Sequence, residues 1–284
     1  MTTCSHFQLE VASATDAGAI RSFNEDSIAF DSDLGLLVLA DGMGGYKAGD
    51  VASSIATGLV MDYLKGMMND VALSPVPSAG LSIEFMAVKT TLEKTNLAIY
   101  KTAQTDSKYN GMGTTIVLMM FHQDRATVAH VGDSRLYRLR QGRLELMTHD
   151  HSLLQEQVEM GLISSEDAKV SHNRNLVSRA LGVSPEIKVE ISEHRVQPND
   201  IFLLCSDGLN DMVDDSDIEL ALRELQANLP LTARQLIQMA IDNGGHDNVS
   251  VLIARVKAAT RWRTLLNRLG GWFKNPRMNT LWPN

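Results

Sequence analysis

Leu36-Leu37-Val38-Leu39-Ala40-Asp41-Gly42-Met43-Gly44-Gly45 is an apolar run of strand length that stops at an aspartate and continues in glycines. Glycines after a strand let the backbone turn sharply and come close to a ligand, with the Gly42 carbonyl available beside the Asp41 carboxylate. Taken alone, the stretch is what any strand ending in a turn residue looks like. The pattern recurs, however. Residues 201–205 run into Ser206-Asp207-Gly208, residues 126–131 run into Gly132-Asp133-Ser134, and Gly244-Gly245-His246-Asp247-Asn248 precedes the apolar run 249–254. If these strand ends gather at one edge of a sheet or sandwich, four carboxylates converge. Like charges at close range raise one another's pKa and repel, so a cluster of this kind holds a cation. Oxygen donors without a neighbouring cysteine or histidine pair indicate a hard ion, Mg2+ or Mn2+.

Upstream, Phe7, Leu9 and Val11 alternate with polar or small residues, as in a half-buried first strand. That strand leads into Arg21-Ser22-Phe23-Asn24-Glu25-Asp26. Glu25 and Asp26 read as a solvated turn by default; lying just before the run 28–30, they are also placed to hold metal-bound waters near Asp41. Arg21 could offer its planar fork to a pair of phosphate oxygens. Downstream of Gly49 the spacing becomes helical, with Val51, Ile55 and Leu59 on one face and Ala52, Ala56, Val60 and Tyr63 adjoining it. A second helix has the stripe Leu81, Phe85, Val88, Leu92, Ile99. These stripes read as core, with helices covering a sheet. From Thr114 onward strands return at 115–121, 125–131 and 135–140, and Gln141-Gly142 makes a hairpin turn before Leu144. Short strands with tight turns indicate antiparallel pairing. Helical segments at 152–161 and 166–180 follow, then strands at 187–191 and 201–205, helices near 217–225 and 232–241, and a last strand at 249–256.

The chain has 284 residues, a net charge of −8 and 44% hydrophobic residues, the balance of a globular protein and not of a general nucleic-acid binder. With only Cys4 and Cys205 there is neither a disulfide framework nor a thiolate metal site, which fits a reducing compartment. The N-terminus lacks a basic start followed by an apolar stretch, and no window approaches the ~20 apolar residues of a membrane span. The expected location is the cytoplasm.

Taken in order, Arg21 with Asn24-Glu25-Asp26, Asp41-Gly42-Met43-Gly44-Gly45, Gly113-Thr114-Thr115, Gly132-Asp133-Ser134-Arg135, Thr148-His149-Asp150-His151, Arg179-Ala180-Leu181-Gly182, Ser206-Asp207-Gly208 and Asp247-Asn248-Val249-Ser250 resemble the bacterial form of the PP2C, or PPM, metal-dependent serine/threonine protein phosphatases. The resemblance implies an α+β fold, a β-sandwich of two antiparallel sheets flanked by helix pairs, with metals in a cleft at one end. It implies that Asp41 bridges two Mn2+ or Mg2+ ions, that the Gly42 carbonyl binds one of them and that Asp207 and Asp247 bind the other. Asp133 would share a third, weaker ion with Asp207. Arg21 would bind the substrate phosphate, Glu25 and Asp26 would act through metal-bound waters, and residues 152–179 would form a mobile flap. The implied reaction is in-line attack on a phosphomonoester by a water bridging two ions, which lower its pKa. The implied partners are a phosphorylated protein and the serine/threonine kinase that the enzyme opposes.

Animal members carry a histidine in the glycine loop that is thought to protonate the leaving group. Here the position is Met43, which cannot donate a proton, so the general acid is unassigned. Cys205 is read as a buried thiol, because position 211 is Asp where a cysteine phosphatase loop needs arginine. Lys47 stands where a dinucleotide fingerprint needs its third glycine, and there is no Walker loop. His151 and His246 read as hydrogen-bonding supports. The alternative function class is a module that binds phosphoproteins without turnover; retention of all four aspartates favours the enzyme. The domain expectation is a phosphatase-like body at 1–257 and a tail at 258–284. That tail holds five basic and no acidic residues and all three tryptophans, with Trp262, Leu265, Leu266 and Leu269 at helical spacing. It reads either as packed on the body or as docking on a partner or an anionic membrane surface.

Overall fold

The computed structural model describes residues 7–44, 48–70, 82–164 and 176–258. Strands β1 (Phe7–Asp16), β7 (Arg135–Arg140), β8 (Arg143–Leu146), β10 (Ile201–Cys205) and β11 (Val249–Ala258) form one antiparallel sheet in the order β1-β11-β10-β7-β8. A second antiparallel sheet has the order β2-β3-β5-β6-β9, from β2 (Asp26–Asp31), β3 (Leu36–Met43), β5 (Ile116–His122), β6 (Arg125–Val131) and β9 (Glu190–Arg195); the two-residue β4 (Gly113–Thr114) pairs with β3. The expected sandwich of two antiparallel sheets is therefore present.

Period-two alternation explains why the central strands are apolar at every position. In β3, Leu37 and Leu39 face the interior between the sheets with Val117, Met119, Phe202, Leu204 and Leu252. Leu36, Val38 and Ala40 face the other way, with Ile116, Leu118 and Met120, onto helices α1 (Ala48–Asp70) and α2 (Ile83–Ala103). Ile201, Leu203, Cys205, Val251 and Ile253 face a second helical layer of α5 (Asp215–Leu225) and α6 (Leu229–Asp242). The shorter helices are α3 (Leu153–Glu159), α4 (Asp207–Asn210) and a 3-10 turn at Ser107–Tyr109.

Four local expectations change. The fully buried stripe of α1 is Ala52, Ala56, Val60 and Leu64, while Val51, Ile55 and Leu59 flank it at half burial; small side chains at the centre let the helix lie close on the sheet. β3 does not stop at Asp41 but continues to Met43, because Gly42 and Met43 pair with Thr114 and Gly113. The expected strand at 187–191 sits later, at Glu190–Arg195, in register with β6. The expected helix at 166–180 falls largely outside the described residues, and its described end is not helical: Val177 bridges Ser152 and Leu181 bridges Thr114. The tail from residue 259, Leu81 and Cys4 also lie outside the described residues.

Candidate metal centre

Asp26 and Asp41 are paired directly across β2 and β3. The next strands add the rest: Asp133 follows β6, Asp207 opens α4 after β10, and Asp247 precedes β11. Thus the four aspartates expected to converge do so, with Asp26 as a fifth carboxylate among them. Asp41 has its carboxyl held well above the usual range, first by burial and then by the charges of Asp26, Asp207, Asp133 and Asp247. Asp207 is raised likewise, by burial and then by Asp133, Asp211 and Asp247. Burial, then Asp150, pushes Asp133 up to about 6; burial pushes Asp26 up to about 6 against hydrogen bonds from Ser250 and Ser206. Glu25 is raised by partial burial, offset by backbone N–H groups of Gly49 and Asp50 at the start of α1.

Against these carboxylates stands Arg21, whose Nη2 donates to Asp247 Oδ2 at 2.8 Å. Its side chain is 54% exposed, and the pair raises its pKa further. Arg135, the arginine nearest Asp133 in sequence, is committed elsewhere: Nε and Nη2 fork onto Asp150 at 3.0 and 2.6 Å. Two buried carboxylate oxygens of the cluster, Asp26 Oδ1 and Asp207 Oδ1, have no hydrogen-bond partner among the described residues. Orphaned buried oxygens on repelling carboxylates are unstable without a cation, and a purely oxygen donor set suits Mg2+ or Mn2+. The residues present fit a group of divalent ions.

The local backbone explains why the motifs need the residues they have. A Cβ on Gly42 would lie 2.0 Å from the Gly49 carbonyl oxygen, and one on Gly208 2.0 Å from that of Asn248. Glycine at these points lets α1 and the start of β11 close on the cluster. Thr115 locks two of the carboxylate-bearing segments together. Its Oγ1 accepts from the Asp41 N–H at 3.1 Å and bonds Ser134 Oγ at 2.7 Å.

Asn248 is the organiser that sequence reasoning left without a role. Its Oδ1 accepts from the Glu25 N–H at 2.8 Å, and its Nδ2 donates to the carbonyls of Ala17 and Phe23 at 3.0 and 2.8 Å. One amide thereby pins the whole Arg21-bearing loop to the start of β11. Asp211 was likewise missed as a neighbour of Asp133 and Asp207. A cleft of about 630 Å3 opens beside the cluster, lined by Asp133, Asp207, Asp211 and Arg135 together with Leu154 and Val158 of α3. The described start of the expected flap therefore forms one wall of this cleft. Met43 ends β3, and its Cε lies near Gly113.

A sequence profile described as "Protein phosphatase 2C" matches residues 19–239, a span that holds all of these carboxylates except Asp247. The chain belongs to the protein phosphatase 2C family. Among protein phosphatase 2C relatives, the serine/threonine phosphatase stp of Listeria monocytogenes is 37% identical over 244 residues, covering 84% of this chain and 92% of its own. PstP of Mycobacterium tuberculosis is 36% identical over 248 residues, covering 87% of this chain and 45% of the relative. The crystal structure of the M. tuberculosis phosphatase PstP/Ppp superposes with a TM-score of 0.78 at 34% identity, over 88% of this chain and 99% of that one. A structure of the PstP catalytic domain in complex with two manganese ions gives 0.75 at 35% identity, over 88% and 99%. As a protein phosphatase 2C family member, the chain has a dependence on Mn2+ or Mg2+ in keeping with its oxygen-only cluster.

Proposed function

We propose that this protein hydrolyses phosphoserine and phosphothreonine in other proteins with the help of Mn2+ or Mg2+, opposing a serine/threonine kinase in the cytoplasm. The observation that carries the reading is the convergence of Asp26, Asp41, Asp133 and Asp207, all with raised pKa, beside Asp247, with an orphaned oxygen on Asp26 and on Asp207 and a cleft that Asp133 and Asp207 line. No helix of the described residues is long and apolar enough to cross a membrane.

Asp41, the Gly42 carbonyl, Asp207 and Asp247 would hold two ions, and Asp133 with Asp207 would hold a third, weaker one. Ions so held supply Lewis acidity to activate water and positive charge to stabilise the phosphoryl transition state. The chain's own groups do the rest. Asp26 and Glu25 orient water from behind Asp41, Asp26 being itself fixed by Ser206 Oγ at 2.8 Å. Arg21 is held at the cluster by Asp247 through one nitrogen, and its remaining N–H donors supply the fork for a phosphate oxygen pair. Thr115 and Asn248 keep the carrying segments in place. Met43 offers no proton, so protonation of the leaving alkoxide falls to water or to a group not yet assigned.

The test is release of phosphate from a phosphothreonine peptide with and without Mn2+. Asp41→Asn and Asp207→Asn each abolish the Mn2+-dependent activity with the circular dichroism spectrum unchanged. Full activity in either variant would overturn the two-metal assignment, whereas a wild-type chain that releases no phosphate with or without Mn2+ would return to the binding-module reading.

The basic tail extends the proposal: it docks the enzyme on a partner or an anionic surface and is dispensable for chemistry. β11 runs to Ala258, so the cut that tests this is after Ala258. Activity on a small phosphate ester should stay within about twofold. A large loss of melting temperature instead assigns the tail to the core.

A further inference from the structure

Apart from the aspartates, the described residues hold a group with ligand-like spacing: one donor atom each of His130, His151 and Glu190 lies within 4.8 Å of the other two. Both imidazoles are buried, each only 3% exposed. They stack with centroids 4.7 Å apart and planes 17° apart. The hydrogen bonds show why this is not an ion site. Gly132 N–H donates to His151 Nδ1 at 3.2 Å. A backbone N–H can only donate, so Nδ1 carries the lone pair and the ring proton sits on Nε2, which faces Glu190 Oε2 at 3.4 Å. A neutral ring in that tautomer has no second lone pair for a metal. Stacked rings also aim their in-plane lone pairs side by side and not at one point. His130 Nε2, for its part, lies against the backbone of His149, 2.8 Å from its carbonyl and 3.2 Å from its N–H.

What the group does instead follows from its other contacts. The His151 N–H donates to the Gly132 carbonyl at 3.0 Å, so both polar backbone groups of Gly132 end on the same histidine. Gly132 has φ of +109°, a conformation L side chains rarely adopt, and an added Cβ would meet Thr115 at 2.6 Å. A glycine there is required by space, and its conformational freedom leaves the turn floppy unless something grips it. The next residue is Asp133. The His151 carbonyl also accepts from Ser178 N–H at 2.8 Å, so the chain returning from the expected flap is anchored at this point.

We infer that His151 is a positioning residue for the metal centre: it clamps Gly132 by both backbone groups and so fixes where the Asp133 carboxylate points, while Glu190, facing Nε2, holds its ring in the tautomer that permits this and His130 stacks against the ring. Burial and the neighbouring His130 push His151 down to about 4, which keeps the ring neutral at the pH of the assays. The inference rests on the assignment of Asp133 to the weaker third ion. Outer partners that orient a ligand commonly change metal affinity by about 10–100-fold when lost.

The experiment uses the full chain and three substitutions. His151→Asn places a carbonyl oxygen where Nδ1 stands and keeps an acceptor for Gly132. His151→Leu removes it, and His151→Gln puts its amide at the Nε2 position, out of reach of Gly132. Mn2+ binding is followed by calorimetry, and exchange of the Gly132 amide by NMR. The expected result is a weak ion bound at least about tenfold less tightly in the Leu and Gln variants, with fast Gly132 exchange. The Asn variant should stay within about threefold of wild type with the amide protected, and the tight pair should be unchanged throughout. If Leu does not fold, the Asn and Gln pair carries the same comparison. Protected exchange and unaltered weak-ion affinity in a folded Leu or Gln variant overturn the clamp, as does an Asn variant as impaired as Gln. Asp133→Ala serves as the separate control. If it leaves the weak ion untouched, the assignment of Asp133 fails, and the amide exchange still decides whether His151 grips the turn.

Discussion

Replacing Asp133 by asparagine should stabilise the metal-free protein at neutral pH while impairing it as an enzyme. Only 7% of Asp133 is exposed, and burial, with Asp150 and Asp211 close by, pushes its carboxyl from 3.8 to about 6. A rise of about two units corresponds to ~3 kcal/mol at about 1.36 kcal/mol per unit. The sign follows from linkage. The folded state binds the proton more tightly than the unfolded one, so the penalty for ionising begins above the unfolded pKa near 3.8 and is complete above about 6. Asparagine keeps the shape and removes the charge. Its amide still loses water on burial, so the net gain should be about 1.5–3 kcal/mol, or roughly 4–8 °C in melting temperature for a domain of this size. The measurement is thermal unfolding in EDTA at pH 7.5 and at pH 4, wild type against Asp133→Asn. A gain at pH 7.5 that vanishes at pH 4 is expected. Excess Mn2+ should narrow or invert the gap, because a ligand at 100 times its Kd stabilises the binding-competent wild type by ~2.7 kcal/mol. No gain at pH 7.5, or an equal gain at both pH values, refutes the electrostatic account of this site.

Two further outcomes follow from the geometry. Arg21→Ala should raise KM for a phosphopeptide more than it lowers kcat, since a phosphate fork acts in ground and transition states alike; an unchanged KM reduces Arg21 to a structural partner of Asp247. Gly42→Ala forces a Cβ into backbone oxygens of Gly49 and Glu25, 2.0 and 2.7 Å away. It should cost about 3 kcal/mol or more in thermal unfolding and remove metal-dependent turnover, whereas a stable, active variant would mean that α1 can retreat from the cluster.

Much of this molecule could be read from residues because its central strands are covered on both faces. Runs such as Leu36 to Ala40 and Ile116 to Phe121 are apolar at every position for that reason, and no polar pattern blurs their ends. β9 was placed too early because it lies at the edge of its sheet, where Glu190 to Arg195 is half-exposed and carries little apolar signal. On α1 the residues read as adjoining the stripe, Ala52, Ala56 and Val60, are its buried centre, because alanine contributes little to a hydrophobic stripe even when it marks the closest approach of helix and sheet. The end of the expected helix at 166–180 is set by bridges to Ser152 and Thr114, contacts remote in sequence that no local pattern announces. At the site, the aspartates stood out because a charge at the end of an apolar run is conspicuous. Asn248, Thr115 and Asp211 did not, since an amide, a hydroxyl or a carboxylate in a loop acquires meaning only from what the fold places opposite it.

The pairing of β1 with β11 joins Phe7 to Ala258 and Asp16 to Val249 in one antiparallel register, and this has a bearing on how the protein is made. The first strand to leave the ribosome cannot find its partner until nearly the whole domain has been synthesised, roughly 12–50 s later at about 5–20 residues per second. Asp247, at the entrance to that last strand, arrives at the same late moment. A nascent chain that has not yet extended β11 thus carries Asp41, Asp133 and Asp207 but lacks Asp247 and the strand that joins β1 to β10, and phosphatase competence should switch on in a single step once β11 has emerged, with no partly active precursor acting on phosphoproteins before then.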